Sequence, residues 1–398
     1  MNISTILPMM QTTKASKTLS ITIGYYVAFL MFGLVAAVLG PTLPGLASQT
    51  HTTIRQVSML FTARSLGYLF GAFLGGRLYD RFPGHPILSI VLAMMTIIIA
   101  TVPLIPFLWG LLTLLLLLGV IEGVLELGGN TLLVWLHKEK TGPFMNGLHF
   151  FFGVGAFVTP LIVGQVFLHT GQIQWAYWIL AILILPSAGW LCRLPSPEIQ
   201  SNARHQEQNA KKTFLVGVIV VLFLLYVGSE VSFGGWIYTY TISLYQGVET
   251  TAAYLTSAFW GALTFGRLLA IPFAAYFAPR LLLLANFIGC LISVSLLLIG
   301  TPSLTIIWIG TLGVGVSMAP VFPTLLTFAG RHIQITAKIN SWFCIGSGVG
   351  GMTLPLLIGQ VFEIYGPQAV MFTIFADLIL GLGLLLGVML CSFRFRQA

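Results

Sequence analysis

Two carboxylic acids and an amide share one face of a segment that is otherwise hydrocarbon. The stretch Gly119–Leu133, GVIEGVLELGGNTLL, lies in an apolar run beginning near Leu111 and carries Glu122, Glu126 and Asn130. Their i, i+4, i+8 spacing makes a single helical stripe rising about 12 Å. An acidic side chain at the centre of a bilayer costs roughly 2.5–3.5 kcal/mol on insertion scales, so two on one stripe require either a wet cavity or tight salt bridges. Facing a cavity, they can hold a proton or a metal cation and accept hydrogen bonds from a polar solute. Asn130 can both donate to and accept from a hydroxyl.

Other charged residues lie at matching depths. Arg64, about nine residues into the second apolar segment, is level with Glu122, and His149, about seven residues into the fifth, is level with Glu126. Arginine stays charged and would pin its partner as carboxylate, whereas histidine can lose its proton. An Arg64–Glu122 pair is therefore expected to be structural and a Glu126–His149 pair functional. Glu230 and Arg267 are complementary charges further along, while Asp377 falls in the last apolar segment and is kept apart from the site.

The elements that must position these groups follow from composition. The 398 residues are 57% hydrophobic and 7% charged, which a soluble fold cannot bury, so the chain is an all-α, polytopic membrane protein. Breaks at Pro, Gly and charged residues predict twelve transmembrane helices, at roughly 19–42, 55–77, 85–106, 109–136, 143–168, 173–193, 213–241, 251–276, 280–300, 303–328, 338–363 and 367–392. The polar interval Leu194–Lys212 splits them six and six, giving units 1–193 and 213–398 around linker 194–212. Lys and Arg concentrate in alternate intervals, including the linker, and the intervening ones hold only Arg55; both termini are thus expected in the cytoplasm. The four cysteines show no CxxC or His pairing, so neither a disulfide framework nor a metal site is expected. A net charge of +8 that follows topology gives no reason to expect a nucleic-acid partner.

The halves echo each other. PLIVGQVF at Pro160–Phe167 and PLLIGQVF at Pro355–Phe362 fall on the fifth and eleventh helices, the same place in each half. Two pseudo-symmetric six-helix bundles are the organisation of an alternating-access transporter. Gly234-Gly235 in the seventh helix is expected to bend or unwind, and Gly40-Pro41…Pro44 to end the first.

Specific motifs then resemble a known family. GGRLYDRFPGH, Gly75–His85, resembles the loop 2–3 motif of the major facilitator superfamily, with Gly76, Asp80, Arg81 and Gly84 in register. The resemblance implies that Asp80 caps the start of helix 11 and that the basic residues brace helix 4. GVLELGGN, MNGLHFFFGVGAFVTP (Met145–Pro160), YVGSEVSFGGWIYTY (Tyr226–Tyr240) and FWGALTFGR (Phe259–Arg267) resemble the fucose–proton symporter family, closest to its branch of sodium-dependent glucose transporter-like proteins. Fucose symporters carry an Asp in helix 1; helix 1 here has no charge, so coupling through that position cannot be carried over.

The resemblance implies the major facilitator fold, with helices 1, 4, 7 and 10 around a central cavity, and an ion-coupled symporter of a monosaccharide such as glucose or fucose. Candidate substrate ligands are Glu126, Asn130, Asn146, His149, Glu230 and Asn340. Trp236, Tyr238, Trp260 and Trp342 are candidates for the apolar platform under a sugar ring, although Tyr238 and Tyr240 also suit interfacial anchoring. Ion coupling falls to Glu126, Glu122, His149 and Glu230; structural or gating roles fall to Arg64, Arg267, Gly76, Asp80 and Arg81. No cofactor is expected beyond a coupling ion, H+ or Na+, and the chain is expected to act as a monomer in the plasma (inner) membrane. An exporter of another small organic solute is the rival reading, and a nutrient receptor on a transporter fold is a weaker one. No phosphate loop, nucleophile elbow or metal cluster suggests an enzyme.

Overall fold

The computed structural model describes residues 3–138, 141–197, 210–299, 303–331, 333 and 337–394. Most of the expected linker, and the basic positions Lys140, Arg204 and Arg396, lie outside them.

Helices follow one another with short turns, and the spans are numbered here in chain order. Span 1 is Ile3–Ala36 continued by Leu39–Gln49; span 2 is a turn at Ile54–Val57 followed by Met59–Tyr79; span 3 is Gly84–Thr101. Spans 4, 5 and 6 are Leu108–His137, Thr141–Thr170 and Gln174–Cys192. Spans 7, 8 and 9 are Ala210–Leu244, Glu249–Tyr276 and Pro279–Leu298. Span 10 is Leu304–Met318 with Val321–Gly330, span 11 Ala337–Tyr365 and span 12 Gln368–Arg394. Among the described residues eleven of these are long and apolar enough to cross a bilayer. Span 8 completes the twelve with 28 residues, about 42 Å at 1.5 Å per residue. Large apolar side chains such as Ile97, Ile182, Leu269, Ile292 and Leu380 stand exposed, as a lipid-facing surface requires.

Small residues decide which spans touch. In lipid there is no hydrophobic drive between helices, so close backbone approach supplies the contact. A Cβ added at Gly67 or Gly119 would sit 1.9 Å from a carbonyl oxygen of the facing helix, Leu116 and Arg64 respectively. Spans 2 and 4 are therefore locked backbone to backbone. Spans 1 and 5 meet likewise through Gly33 against the Phe152 carbonyl, and spans 7 and 11 through Gly350 against the Leu224 carbonyl. Spans 8 and 10 meet at Gly315 against the Phe259 carbonyl. The pairs 1/5 and 2/4 thus recur as 7/11 and 8/10, the packing counterpart of the internal repeat.

Two expectations about helix breaks are corrected. The first helix does not end at Gly40-Pro41. It breaks just before, at Ala37–Val38, and runs on to Gln49 with Pro44 inside it. Pro41 falls in the first turn of the new segment, where its missing N–H has no partner to lose. Gly234-Gly235 does not unwind span 7, which is helical from Ala210 to Leu244. Their missing side chains make room instead: a Cβ on Gly234 would lie 2.7 Å from the Trp260 ring, and one on Gly235 would lie 2.8 Å from the Phe61 ring.

The halves close on each other at the end opposite both termini and the linker, called here the far end. Arg55 of span 2 donates its backbone N–H to Glu363 of span 11 at 3.1 Å, and Gly40 of span 1 abuts the Gly234 carbonyl. The seam continues inward through Thr62, donating to the Met352 carbonyl at 3.2 Å, to Leu69 against Gly348 and Phe150 against Phe265. Toward the linker end, Asn146, Asn340, Trp342 and Cys344 are exposed instead.

Candidate functional site

Spans 2 and 4 run parallel, and their glycine contact brings two complementary stripes face to face. Glu122 is buried and accepts from Arg64 Nε at 2.7 Å and Nη2 at 2.6 Å, a bidentate ion pair with the side chains 15% and 3% exposed. The same guanidinium donates to the Ala36 carbonyl at 3.0 Å and reaches the Val35 carbonyl at 3.5 Å. Those carbonyls end the first segment of span 1, where a cation is favoured by the helix dipole. Arg64 thus fastens spans 1, 2 and 4 at one point.

One turn along the same stripe, Glu126 Oε2 accepts from the Tyr68 hydroxyl at 2.8 Å. Both rungs join residues 58 apart in sequence, Arg64 to Glu122 and Tyr68 to Glu126, which only a parallel helix pair permits. The expected Glu126–His149 pair is not formed. Tyr68, already on the helix locked against span 4, takes that place, while the His149 ring packs edge-on to Phe29 with centroids 5.8 Å apart. His149 lies instead within electrostatic reach of Arg267. Among the described residues no cation lies at ion-pair distance from Glu126, in contrast to Glu122 and Glu230.

In the other half, the Tyr226 hydroxyl lies against Glu230 Oε2 and within 2.9 Å of the Met318 carbonyl of span 10. Arg267 Nη2 approaches Glu230 Oε1 at 3.6 Å, and its Nε is buried with no partner among the described residues. The charges expected to complement each other therefore do meet, loosely. Groups of the two halves approach each other here: Cys344 of span 11 is within electrostatic reach of Tyr68 and Glu126, as Arg267 is of His149.

The remaining expected residues divide by depth. Asn130 is half-buried, continues the Glu122–Glu126 stripe toward the linker end, and has a buried Oδ1 with no partner among the described residues. Asn146, Asn340 and Trp342 are exposed near the linker end. Trp260 is 9% exposed, with its Nε1 likewise unpartnered. Trp236 and Tyr238 are not presented as a platform. Trp236 is fully buried between Phe61 and Phe362 at the closed far end, and Tyr238 packs on Ala252 and Ala253. Interfacial anchoring fails as well, because Tyr240 is buried and donates to the Leu297 carbonyl at 2.8 Å. Asp80, which ends the helix of span 2, and Arg81 are exposed, and Arg77 stacks over Phe73; the start of span 11 that Asp80 was expected to cap lies at 334–338, outside the described residues and side chains. Gly76 lies 3.8 Å, by its absent Cβ, from Leu127 of span 4. Asp377, set aside in span 12, accepts from Ser229 of span 7 at 2.7 Å.

Sequence reasoning missed Tyr68 and Tyr226. A signal existed for both: Tyr68 is i+4 from Arg64 on span 2, matching Glu126 i+4 from Glu122, and Tyr226 is i−4 from Glu230.

The model of the Major Facilitator Superfamily matches residues 25–355. The chain belongs to that superfamily of transporters. Its similarity extends to Sodium-dependent glucose transporter 1 of Danio rerio, 31% identical over 371 residues and covering 83% of this chain and 62% of that protein. Sodium-dependent glucose transporter 1A of Mus musculus is 30% identical over 375 residues, covering 84% of this chain and 88% of the relative. The chain thus spans less than two thirds of the Danio rerio relative. Among solved structures, the nucleoside transporter NupG superposes with a TM-score of 0.71 over 94% of this chain and 98% of the other. At 12% identity that likeness concerns the major facilitator fold alone.

Proposed function

We propose that this chain is a secondary active transporter of a monosaccharide, driven by a cation gradient, in which units 1–193 and 213–398 rock about the cleft between Glu126 and Glu230. The observation that carries the reading is Asn130: a buried amide oxygen without a donor among the described residues, one turn from a carboxylate that lacks a cation there. A sugar hydroxyl supplies the missing donor, and a coupling cation supplies the missing charge. Arg267, with an unpartnered Nε and a loose hold on Glu230, is free to donate to the sugar from the other side. Trp342 offers an exposed ring for its C–H face, and Asn146, His149 and Asn340 line the approach. The names of the relatives, sodium-dependent glucose transporters, support both the substrate class and the gradient.

In this reading the protein sits in the plasma (inner) membrane as a monomer with both termini cytoplasmic, so the open linker end faces the cytoplasm. Sodium and a proton both suit Glu126, since Tyr68 can donate to the carboxylate beside either. The test is uptake of labelled glucose and fucose into vesicles, with sodium varied at fixed pH and pH varied at fixed sodium. One gradient should accelerate uptake, and Glu126→Gln should abolish that dependence. Uptake indifferent to both gradients, or no hexose or pentose raising the thermal stability of the purified protein, refutes the reading.

A further inference from the structure

The repeated Gly-Gln of spans 5 and 11 has no place in the substrate site, yet both copies occupy equivalent positions on the seam between the halves. Gln165 and Gln360 each lie five residues before the last residue of their helices, Thr141–Thr170 and Ala337–Tyr365. Each bonds across the interface. The Gln165 side-chain amide donates to the Tyr254 hydroxyl on span 8, and Arg55 Nε on span 2 donates to Gln360 Oε1. The preceding glycines make the approach possible. A Cβ on Gly164 would lie 2.9 Å from Ala253 Cβ, and one on Gly359 would lie 2.1 Å from Ser58 Oγ. Both glycines are buried, whereas the bonds at the two glutamines are at the exposed rim.

We propose that the duplicated Gly-Gln pairs form a two-fold related latch that holds the far end of the transporter shut. Gly164 and Gly359 are the contact points of the seam, and Gln165 and Gln360 are positioning residues that fasten it. Opening the far end breaks both bonds; closing it remakes them. Neither residue touches substrate, so the latch sets the balance between the two access states.

This rests on the alternating-access reading but not on the sugar or the ion, and the test uses neither. Spin labels at Gln172→Cys and Gln246→Cys, exposed positions in the far-end turns of the two halves, are introduced after the native cysteines are replaced by serine. Electron–electron distances are then measured on the full chain in nanodiscs. Two exposed hydrogen bonds at about 0.5 kcal/mol each amount to about a fivefold change in the open-to-closed ratio. Gln165→Ala with Gln360→Ala should raise the long-distance population by that factor. Gln360→Glu places a carboxylate on Arg55 and should lower it. Gly359→Ala should open the seam further, with Ser58→Gly in the same chain restoring it. Unchanged distances in well-folded variants, or a shift of the same sign for Gln360→Ala and Gln360→Glu, overturn the latch. Absence of sugar uptake by the parental protein, with the distances behaving as stated, counts only against the proposed substrate.

Discussion

Replacing Glu122 by Gln should damage folding far more than coupling, and the contacts of Arg64 set the size of the effect. The carboxylate takes two charge-assisted bonds from a guanidinium that is only 15% exposed. Glutamine presents one carbonyl and one amide donor to the same fork, so donor opposes donor and the guanidinium loses its counter-charge. Arg64 keeps only the Val35 and Ala36 carbonyls. Stranding one partner of a buried pair costs about 3–5 kcal/mol. At about 2–4 °C per kcal/mol for large domains, the melting temperature should fall by roughly 10 °C. The control is Glu126→Gln, whose carbonyl still accepts from Tyr68, so its loss should stay near 1 kcal/mol or less. Thermal unfolding followed by tryptophan fluorescence in detergent compares the two, alongside gradient-driven uptake. Arg64→Met with Glu122→Leu should recover much of the stability, since an apolar pair strands no charge. A Glu122→Gln protein with parental melting temperature and expression, but without gradient dependence, would reverse the division of labour between the two acids.

Other consequences can be checked with the same preparations. Tyr68→Phe removes the hydroxyl donor to Glu126 and should shift the cation dependence of uptake, at a stability cost of about 1.5–3 kcal/mol for a bond to a charged group. Arg267→Met leaves Glu230, whose side chain is only 14% exposed, without a cation held at 3.6 Å, so it should cost about 1–3 kcal/mol, less than stranding the tight Arg64–Glu122 pair, while lowering uptake tenfold or more. Gly119→Ala forces a methyl to 1.9 Å from the Arg64 carbonyl, so expression of folded protein should collapse, as read by size-exclusion chromatography. Asp377→Asn should leave uptake and melting temperature unchanged, because the amide oxygen still accepts from Ser229 and the residue lies behind span 7.

The spans were legible because length and apolarity alone decide what crosses a bilayer, and the Arg64–Glu122 pair because equal depth on two helices is countable. The Glu126 partner was not legible. Depth put His149 level with it, but depth does not give rotation about the helix axis. The glycines that fix rotation, Gly67 against Leu116 and Gly119 against Arg64, read in sequence only as small residues. Gly234-Gly235 misled for a related reason: a glycine pair permits a bend and permits close packing, and only the neighbouring Trp260 and Phe61 rings decide between them. Trp236 was placed in the cavity because aromatic side chains suit sugars, yet its helix presents it to the far-end seam.

The contrast between the two rungs is what assigns the proposed coupling to Glu126 rather than Glu122. A lone carboxylate at mid-membrane costs roughly 2.5–3.5 kcal/mol. One hydroxyl donor to a charged group returns about 1.5–3 kcal/mol, so Glu126 with Tyr68 sits within a kcal/mol or two of balance. A cation, a proton or a sugar hydroxyl on Asn130 is then enough to decide its state. Glu122, held by a fork that is itself tied to the broken end of span 1, stands several kcal/mol from any such switch. Because both rungs belong to one rigid helix pair, neutralising the first also relieves the second of a like charge one turn away. If that is the role of Arg64, a protein carrying Arg64→Met with Glu122→Leu should keep its gradient dependence, whereas Arg64→Met alone should lose it.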